Sequence, residues 1–587
     1  IGDDEYIEAV LDQEVDGIVS CIEKTTSELR ATPHCLWSCL TYSLAPKFDY
    51  WLRHMPPVQT VNAAARVDRA LLATARELGY DSIFHDAITQ RRLRLPVRMR
   101  GCGLRSRVWL APIAYASSFV EAAEAMADSW DNGVHRAGYF SPVARVAFGH
   151  APFDAGGTRF GHFVNSSLTP TAHHFASVWT ALRADLADTT GPLDLPADMA
   201  GAGRDGARTG LQKAITQQLE ERMRSRLHDS VMQLPPASPR REAWLSADSN
   251  SSRFLVAPPT ASYEVSEEEW HECFTTYLGS ESCATRGLGP RIIPCGGRGG
   301  PRQNDPHGFQ INLANLPGAS YTICHDAVAT ELWSVVREAG LAIDVEPRHY
   351  FNTLIPPAVL YQPGGKPGIV PDAAIDVALP RAVTTRGASQ ERTAQPLRRL
   401  LFDVKTVFGG GGVYSSARAR DDRSGAVAHR AHQVAGEYRR HADRLDERHS
   451  AQGTTPIRDR LNSFTQVRAL AFGQYGEASA DVHHLLRACA SEMARKQWRW
   501  LGARTESEAF AAIVSRLRCR MGLVTVREMA RHRLRRVPYI GVPRAVVENR
   551  MQPFHLRAIE RGGGAVVAAR DFYAFQQQRG AWGRDAA

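Results

Sequence analysis

Lysine and long apolar runs are what this sequence has least of. Six lysines stand among its 71 basic residues, at positions 24, 47, 213, 366, 405 and 496. No stretch of about 18 apolar residues occurs, so we expect no membrane-spanning helix. The chain opens on Ile1 with an acidic, polar segment. This opening predicts no signal peptide and suggests a fragment of a longer product.

The ten cysteines are too dispersed for the disulfide framework of a small secreted protein, which predicts a reducing, intracellular setting. The remaining composition, 43% hydrophobic and 23% charged, is ordinary for a soluble globular protein. A length of 587 residues allows roughly three or four domains. A net charge of +9 suits a polyanionic partner. Because arginine carries this charge almost alone, and arginine content can follow genome composition, the net charge has little weight by itself.

The local patterns indicate an α+β multidomain protein. Helical periodicity dominates the N-terminal region, the middle is rich in Gly, Pro, Thr and Asp, and the C-terminal region mixes strands with helices. We predict a helical region, a loop-rich linker containing a helix, a segment preceding the core, an α/β core, and a set of basic helices with a tail. These regions span residues 1–130, 131–240, 241–320, 321–480 and 481–587 in that order.

The pattern is clearest after residue 324. The periodicity predicts an amphipathic helix, three strands, a long helix, a fourth strand and two further helices. Their predicted ranges are 325–339, 341–345, 369–379, 399–408, 423–448, 466–472, 480–501 and 507–536. This order is typical of one α/β domain with trailing helices.

Two acidic motifs fall on neighbouring predicted strands. Asp372 follows Pro371 near the start of one strand, and Asp403 and Lys405 lie in the apolar stretch of the next. Residues i and i+2 of a strand point to the same side, so Lys405 should emerge beside Asp403. Two carboxylates can hold Mg²⁺ or Mn²⁺, and an ammonium group can orient a water molecule and stabilise developing charge. Phosphodiester hydrolysis requires this chemistry.

The alternative interpretation makes Asp372 a turn residue and makes Asp403 and Lys405 a surface ion pair on an edge strand. The scarcity of lysine argues against coincidence, because one of only six lysines falls two positions after an aspartate inside a strand. Asp376 competes with Asp372, since it lies four residues on and on the same strand face. Glu346, after the first strand, is a further candidate metal ligand.

The order of these motifs resembles that of the restriction-like endonuclease of site-specific non-LTR retrotransposons and related reverse-transcriptase-derived proteins. Segments upstream of the core, from Arg253 to Pro259 and around Trp270, also look like the region that precedes this nuclease. The matching segments of the core are Cys324-His325-Asp326, Gly340-Leu341, Val345-Glu346, Pro371-Asp372, Phe402-Asp403-Val404-Lys405, and Phe472-Gly473 followed by Gly476-Glu477.

The N-terminal part is similar to the region after the palm of such reverse transcriptases. Two segments carry this likeness: Phe48-Asp49-Tyr50-Trp51-Leu52-Arg53, and Leu95-Pro96-Val97-Arg98 followed by Gly101-Cys102-Gly103-Leu104-Arg105. No Tyr/Phe-x-Asp-Asp motif occurs in the sequence. The polymerase active site of the family is therefore missing from this chain.

The resemblance implies a thumb-like helical N-terminal region and a C-terminal restriction-endonuclease-like core of the PD-(D/E)-x-K type. In such a core Asp372 and Asp403 would bind Mg²⁺ or Mn²⁺, Lys405 would position the attacking water, and Glu346 or Glu331 would complete the metal ligands. The resemblance also implies target DNA and retroelement RNA as partners, no membrane association and a nuclear location.

The family carries a zinc knuckle before the nuclease, from which this sequence departs. Only Cys283, Cys295, His307 and Cys324 could supply four ligands, and their spacing is unusual for a closed tetrahedral site. Unpaired thiols are therefore the favoured interpretation, and zinc the lesser one.

Two basic helices near the C-terminus are candidates to follow a phosphate backbone. Solvated helix faces are the alternative. The arginines that we expect to contact nucleic acid are Arg516, Arg518, Arg531 and Arg535.

Three hypotheses about function remain open at this point. The first is a metal-dependent DNA endonuclease that nicks its target and lacks the polymerase palm. The second is a catalytically inactive, nucleic-acid-binding relic, and the third is a structural helical protein in which the motifs are coincidental. The first hypothesis requires Asp372, Asp403 and Lys405 to converge in space.

Overall fold

A computed structural model of the chain divides into two compact units, Ile1–Gln233 and Leu234–Ala587, here called the N-terminal unit and the C-terminal unit. The structure describes residues 4–79, 86–130, 169–187, 210–260, 263–295, 300–357, 368–377, 398–410, 413–414, 425–464, 466–545 and 547. The loops predicted at 131–168 and 188–209, and the tail after 547, lie outside the described residues. None of the described helices combines the length and apolarity that a bilayer crossing requires.

The described part of the N-terminal unit is helical, as predicted. Its helices are α1 (Asp4–Leu29), α2 (Pro33–Cys39), α3 (Asp49–His54), α4 (Pro57–Gly79), α5 (Ala87–Arg94), α6 (Arg107–Trp130), α7 (Thr169–Ala187) and α8 (Leu211–Met232). Helix α1 buries Leu11, Val15, Ile18 and Ile22, whose three- and four-residue spacing forms one apolar stripe. This stripe packs against α4.

The glycine-containing segment between α5 and α6 is a tight turn whose shape explains its composition. A Cβ atom on Gly101 would overlap the backbone of Leu95, and Gly103 has a φ of 88°, so both positions require glycine. Arg105 approaches the buried Glu220 of α8 at 2.8 Å, and Arg98 pairs with the same carboxylate at 2.5 Å. The arginines of this segment therefore fasten the turn to α8.

The C-terminal unit combines helices with a small and a larger sheet, which confirms the mixed α+β class. Its elements are α9 (Pro239–Ser246), α10 (Glu267–Leu278), β1 (Ile292–Ile293), β2 (Arg302–Gln303), α11 (Phe309–Leu313), α12 (Ser320–Glu338), β3 (Ile343–Val345), α13 (His349–Asn352), β4 (Ala373–Val377), β5 (Arg398–Val407), α14 (Gly425–His449), α15 (Pro456–Ser463), β6 (Arg468–Gly473), α16 (Ala480–Gln497) and α17 (Glu506–Leu534).

The larger sheet has the strand order β3-β4-β5-β6. The first two pairings are antiparallel, and β5 and β6 are parallel. Helix α14 lies in the crossover that a parallel pair requires. The four strands predicted from the pattern are thus present. Strands β3 and β4 are shorter than predicted. Strand β5 begins one residue before its predicted start, and β6 begins two residues after its predicted start.

Helices cover both faces of this sheet. On one face, the side chains of Phe402 and Val404 pack in a core with α12, α16 and α17. On the other face, Leu401 joins a second core formed with α13, α14 and α15. Because successive strand residues alternate between faces, Asp403 and Lys405 point into the layer that contains α14.

A buried carboxyl group closes the turn that follows β6. Glu477 accepts hydrogen bonds from the Tyr414 hydroxyl (2.7 Å) and from the backbone N–H of Tyr475 (3.0 Å). A Cβ atom on Gly473 would overlap this carboxylate, which accounts for the glycine. Burial raises the pKa of Glu477 to about 8, and it raises the pKa of Glu242, a partner of Tyr475, to about 7.

These two raised pKa values predict how stability depends on pH. A carboxyl group with a raised folded pKa stabilises the fold fully below its unfolded pKa of 4.5, and this contribution is lost as pH rises through about 7–8. Glu477→Gln should therefore flatten the decline in the free energy of unfolding between about pH 5 and pH 8, since each pKa unit corresponds to about 1.4 kcal/mol. Urea denaturation at several pH values measures this slope.

The exposed Glu268 of α10 offers a matched control. Glu268→Gln removes the same charge from a solvated position and should leave the pH dependence of wild type unchanged. Equal slopes for Glu477→Gln and Glu268→Gln would show that the Glu477 carboxyl group does not govern the pH dependence.

Candidate active site

Asp372 and Asp403 stand opposite each other on adjacent strands. Strands β4 and β5 pair with Ala373 opposite Phe402, so the next position along the ladder places Asp372 opposite Asp403. Both acids lie on the sheet face covered by α14, because Ala373 and Phe402 belong to the core on the other face. The Asp372 Oδ2 atom also accepts a 2.6 Å hydrogen bond from the backbone N–H of Val404. The register of two strands thus brings the two carboxylates together.

Asp403 is the buried member of the pair. Its side chain is 4% exposed and its Oδ2 atom contacts the ammonium group of Lys405, which is 29% exposed. The Oδ1 atom accepts a hydrogen bond of 3.0 Å from the hydroxyl of Tyr438 on α14. Burial raises the pKa of Asp403, an effect that Lys405 opposes and the nearby charge of Asp372 reinforces. A cation beside this carboxylate would offset the cost of its burial.

Asp372 is held by a histidine from α12. The Nε2 atom of His325 lies 3.2 Å from Asp372 Oδ2, and its Nδ1 atom lies 2.9 Å from Asp326 Oδ1. Burial alone would lower the pKa of His325, but the hydrogen bonds with Asp326 and Asp372 raise it to about 9. Burial would raise the pKa of Asp372, but His325 and the Val404 N–H keep it below its usual value. The histidine is therefore a cation that pairs with Asp372 at neutral pH.

The side chains of Glu331 and Glu346 pair with arginines and not with these two aspartates. Glu331 pairs with Arg520 of α17. The backbone N–H of Glu346 donates to the carbonyl oxygen of Asp372 (2.9 Å), but its side chain is 55% exposed and pairs with Arg348. Both carboxylates thus have arginine partners in this structure, and their role as metal ligands stays a prediction.

Asp376, the competitor of Asp372, is also occupied elsewhere. Both of its carboxylate oxygens accept hydrogen bonds of 2.7 Å from the guanidinium group of Arg399. This bidentate pair lowers the pKa of Asp376. Asp376 is therefore an ion-pair partner inside β4, away from the site.

The four residues considered for zinc are not gathered. Among the described residues, no three His, Cys, Asp or Glu side chains are grouped so that they could hold a metal ion. Cys324 packs with Phe408 and Met529 in a small apolar cluster, and the ring Nδ1 of His307 lies 3.1 Å from the carbonyl oxygen of Ser280. The remaining two are Cys283, which lies 3.9 Å from the His271 carbonyl oxygen, and the buried Cys295.

The basic helices are largely used for internal ion pairs. Arg531 donates to Glu269 (2.6 Å) and Glu528 (2.7 Å), and Arg535 donates to Glu528 (3.3 Å). These two arginines therefore neutralise carboxylates of the unit itself, and their role at a phosphate backbone stays a prediction. Arg516 is exposed and Arg518 is partly exposed. They are the members of the predicted set that remain available to an anion.

The carboxylates of Asp372 and Asp403 fit a magnesium ion in a limited sense. They supply two hard oxygen donors, and Mg²⁺ commonly binds one or two carboxylates together with waters and substrate phosphates. The Asp403 Oδ2 atom is buried. Apart from the Lys405 ammonium group, none of the described residues donates a hydrogen bond to it. Within the described part of the chain, a third protein ligand is not grouped with them.

The site also contains His325, Asp326 and Tyr438. The sequence predicts only Asp372, Asp403 and Lys405 as its central residues. Tyr438 lies on α14, the helix that follows β5. His325 and Asp326 stood in a segment that resembles the family, but their side chains had no predicted role. An adjacent His-Asp pair near the start of a helix that packs on the sheet was the available signal.

Comparison with known proteins adds no assignment to this geometry. The chain matches no protein-family model, and no curated protein shows significant sequence similarity to it.

Proposed function

We propose that the C-terminal unit is a metal-dependent endonuclease that nicks DNA. The observation that carries this proposal is the meeting of Asp372, Asp403 and Lys405 on two adjacent strands. Two carboxylates beside one ammonium group, in a partly buried place, are what assisted phosphodiester hydrolysis needs. The order of the family-like motifs supports a further part of the proposal: the chain is a portion of a retroelement protein without its polymerase palm. Target DNA, retroelement RNA and a nuclear location belong to the same proposal.

Each side chain of the site has a role in this proposal. Asp372 and Asp403 would hold Mg²⁺ or Mn²⁺, which would neutralise the scissile phosphate and acidify a bound water. Lys405 orients the attacking water and stabilises the charge that develops on the phosphate. Tyr438 fixes the carboxylate of Asp403 through its 3.0 Å hydrogen bond, and His325 fixes that of Asp372.

A second candidate function is a nucleic-acid-binding relic without activity. Its support is the side chain of His325, whose positive charge already pairs with Asp372, together with the outward placement of Glu346. In an inactive relic the histidine would substitute permanently for the cation. The two candidates differ in whether a divalent metal ion produces cleavage.

The deciding experiment is the nicking of supercoiled plasmid DNA with Mg²⁺ or Mn²⁺ and with EDTA. Wild type should convert supercoiled to open-circular DNA with either metal and should be inactive in EDTA. Asp403→Ala should lose this activity, because it removes one of two metal-binding carboxylates. Asp376→Ala is the matched control: it removes an aspartate of the neighbouring strand that pairs with Arg399, and it should cut at the wild-type rate.

Thermal unfolding of each variant shows whether it is folded under the assay conditions. Cleavage by Asp403→Ala at the wild-type rate would refute the assigned site. A folded wild type that cuts neither single- nor double-stranded DNA with any metal would favour the relic.

A further inference from the structure

Three arginines of the C-terminal unit lie near one another, with one acid, Asp248, beside them. Arg253 follows a turn that packs closely on α17. The packing is so close that a Cβ atom added to Gly522 of α17 would lie 2.9 Å from the Cβ atom of Arg253. Arg518 lies one helical turn before Gly522 on α17, and Arg487 lies on α16, which packs along α17. We call Arg253, Arg487 and Arg518 the arginine cluster. It lies on the helical layer of α16 and α17, whereas the candidate active site faces α14.

The acid beside this cluster, Asp248, is already engaged. Asp248 accepts hydrogen bonds from the ring of His483 (2.8 Å) and from the backbone N–H groups of Ala478 (3.0 Å) and Asn250 (2.7 Å). The Nε atom of Arg518 is buried and has no hydrogen-bond partner among the described residues. Burial lowers the pKa of Arg518, and the charges of Arg253 and Arg487 lower it further, whereas the charge of Asp248 opposes this shift.

Other arginines of α17 are in the opposite situation. Arg520 pairs with Glu331 and Glu338, Arg531 pairs with Glu269 and Glu528, and Arg533 pairs with Glu272. Carboxylates that come mostly from α10 and α12 therefore normally pair with the guanidinium groups of this helix. The arginine cluster departs from this rule, and its mutual repulsion together with a buried unpaired donor would be relieved by a bound anion.

We propose that Arg253, Arg487 and Arg518 form a phosphate-binding site. A tetrahedral oxyanion can accept several charge-assisted hydrogen bonds from planar guanidinium groups, which arginine makes in pairs. The phosphate is either a group of a nucleic-acid backbone or a free phosphate. The site does not depend on metal-directed cleavage, so its test stands apart from the nicking experiment.

The first measurement is the melting temperature of the metal-free protein in sodium phosphate against sodium chloride of equal ionic strength. A ligand that binds only the folded state raises the melting temperature. Phosphate should stabilise wild type, and Arg487→Glu should weaken its binding about tenfold or more, since one charge-assisted hydrogen bond is lost and a repulsion is added. Arg487 is exposed on its helix, so this substitution should leave the fold intact.

Arg495→Glu is the matched control, because Arg495 is an exposed arginine of the same helix whose partner is Glu492. It changes the net charge equally and should bind phosphate like wild type. Equal phosphate effects in wild type, Arg487→Glu and Arg495→Glu, or no phosphate effect in wild type, would overturn the proposal.

The second measurement distinguishes the two sources of phosphate. Binding of a fluorescein-labelled 20-base-pair DNA duplex is followed by anisotropy in EDTA over a range of salt concentrations. If the ligand is a backbone, Arg487→Glu should weaken binding and reduce the salt slope by about one unit relative to Arg495→Glu. If only the phosphate effect differs between the two variants, the site is one for free phosphate groups.

Discussion

Replacing Arg533 with alanine should lower the free energy of unfolding of the C-terminal unit by about 3–5 kcal/mol. Its guanidinium group is 4% exposed and pairs with Glu272, which is fully buried. Arg533 also donates to the hydroxyl of Thr276 at 3.1 Å. Truncation would leave the buried Glu272 carboxylate without its counter-charge, with the Ser282 hydroxyl (2.9 Å) as a neutral donor, and this loss dominates the effect. Urea denaturation of the purified chain measures it.

Arg516→Ala is the comparison for this prediction. Arg516 is an exposed arginine of the same helix, and its loss should change the free energy of unfolding by no more than about 0.5 kcal/mol. Adding Glu272→Gln to Arg533→Ala removes the uncompensated charge and should recover part of the lost stability. If Arg533→Ala costs no more than Arg516→Ala, the buried pair does not stabilise the fold as its geometry indicates.

The arginines of α17 show what a local pattern cannot reveal. The sequence presents Arg531 and Arg535 as members of one basic run, typical of a surface that binds phosphates. One of their partners is Glu269 of α10, which lies 262 residues before Arg531 in the sequence. Charge in a segment does not specify whether the neutralising groups are within the protein or in a ligand, and only the tertiary contacts decide between them.

The strands were predictable for a reason that is local. Side chains alternate between the two faces of a strand. One face of β5 therefore carries the apolar residues at 400, 402 and 404, and the other face carries Asp403 and Lys405. The order of the strands then places Asp372 next to them. These two steps use only neighbouring residues and one pairing, so the sequence contained enough information for both.

The directions of the other two predicted metal ligands, Glu331 and Glu346, depend on backbone angles that a pattern of apolar and polar residues does not show. Each residue of a helix turns by about 100°, so Glu331, six positions after His325, points well away from the direction in which His325 meets Asp372. Glu346 has a φ of 48°, a left-handed conformation that a non-glycine residue seldom adopts, and its side chain turns toward Arg348. The direction of Glu331 follows from helical phase only once His325 is known to meet Asp372, and the turn at Glu346 has no signal in the sequence pattern.

Lys405→Ala should slow metal-dependent nicking by about 10²–10³-fold, the scale observed when one preorganised electrostatic group is removed. The side chain ends in a polar, partly exposed place, so its removal creates no apolar cavity and the fold should persist. Asp372 and Asp403 remain, so the concentration of Mg²⁺ that gives half the maximal rate should change little. Lys405 also lowers the pKa of Asp403. Without it, Asp403 should ionise at higher pH, so the nicking rate should begin to rise with pH at a higher pH than in wild type.

Two further lysine variants sharpen this prediction. Lys405→Arg keeps the charge but replaces a compact ammonium with a planar guanidinium, and it should restore only part of the rate. Lys496→Ala removes a lysine that donates to the carbonyl oxygen of Ala339 (3.0 Å), away from the site, and it should cut like wild type. The nicking rate of each variant over a range of pH is the measurement. If Lys405→Ala cuts as fast as Lys496→Ala, Lys405 is an ion-pair partner that keeps the buried Asp403 ionised, and another group must orient the attacking water.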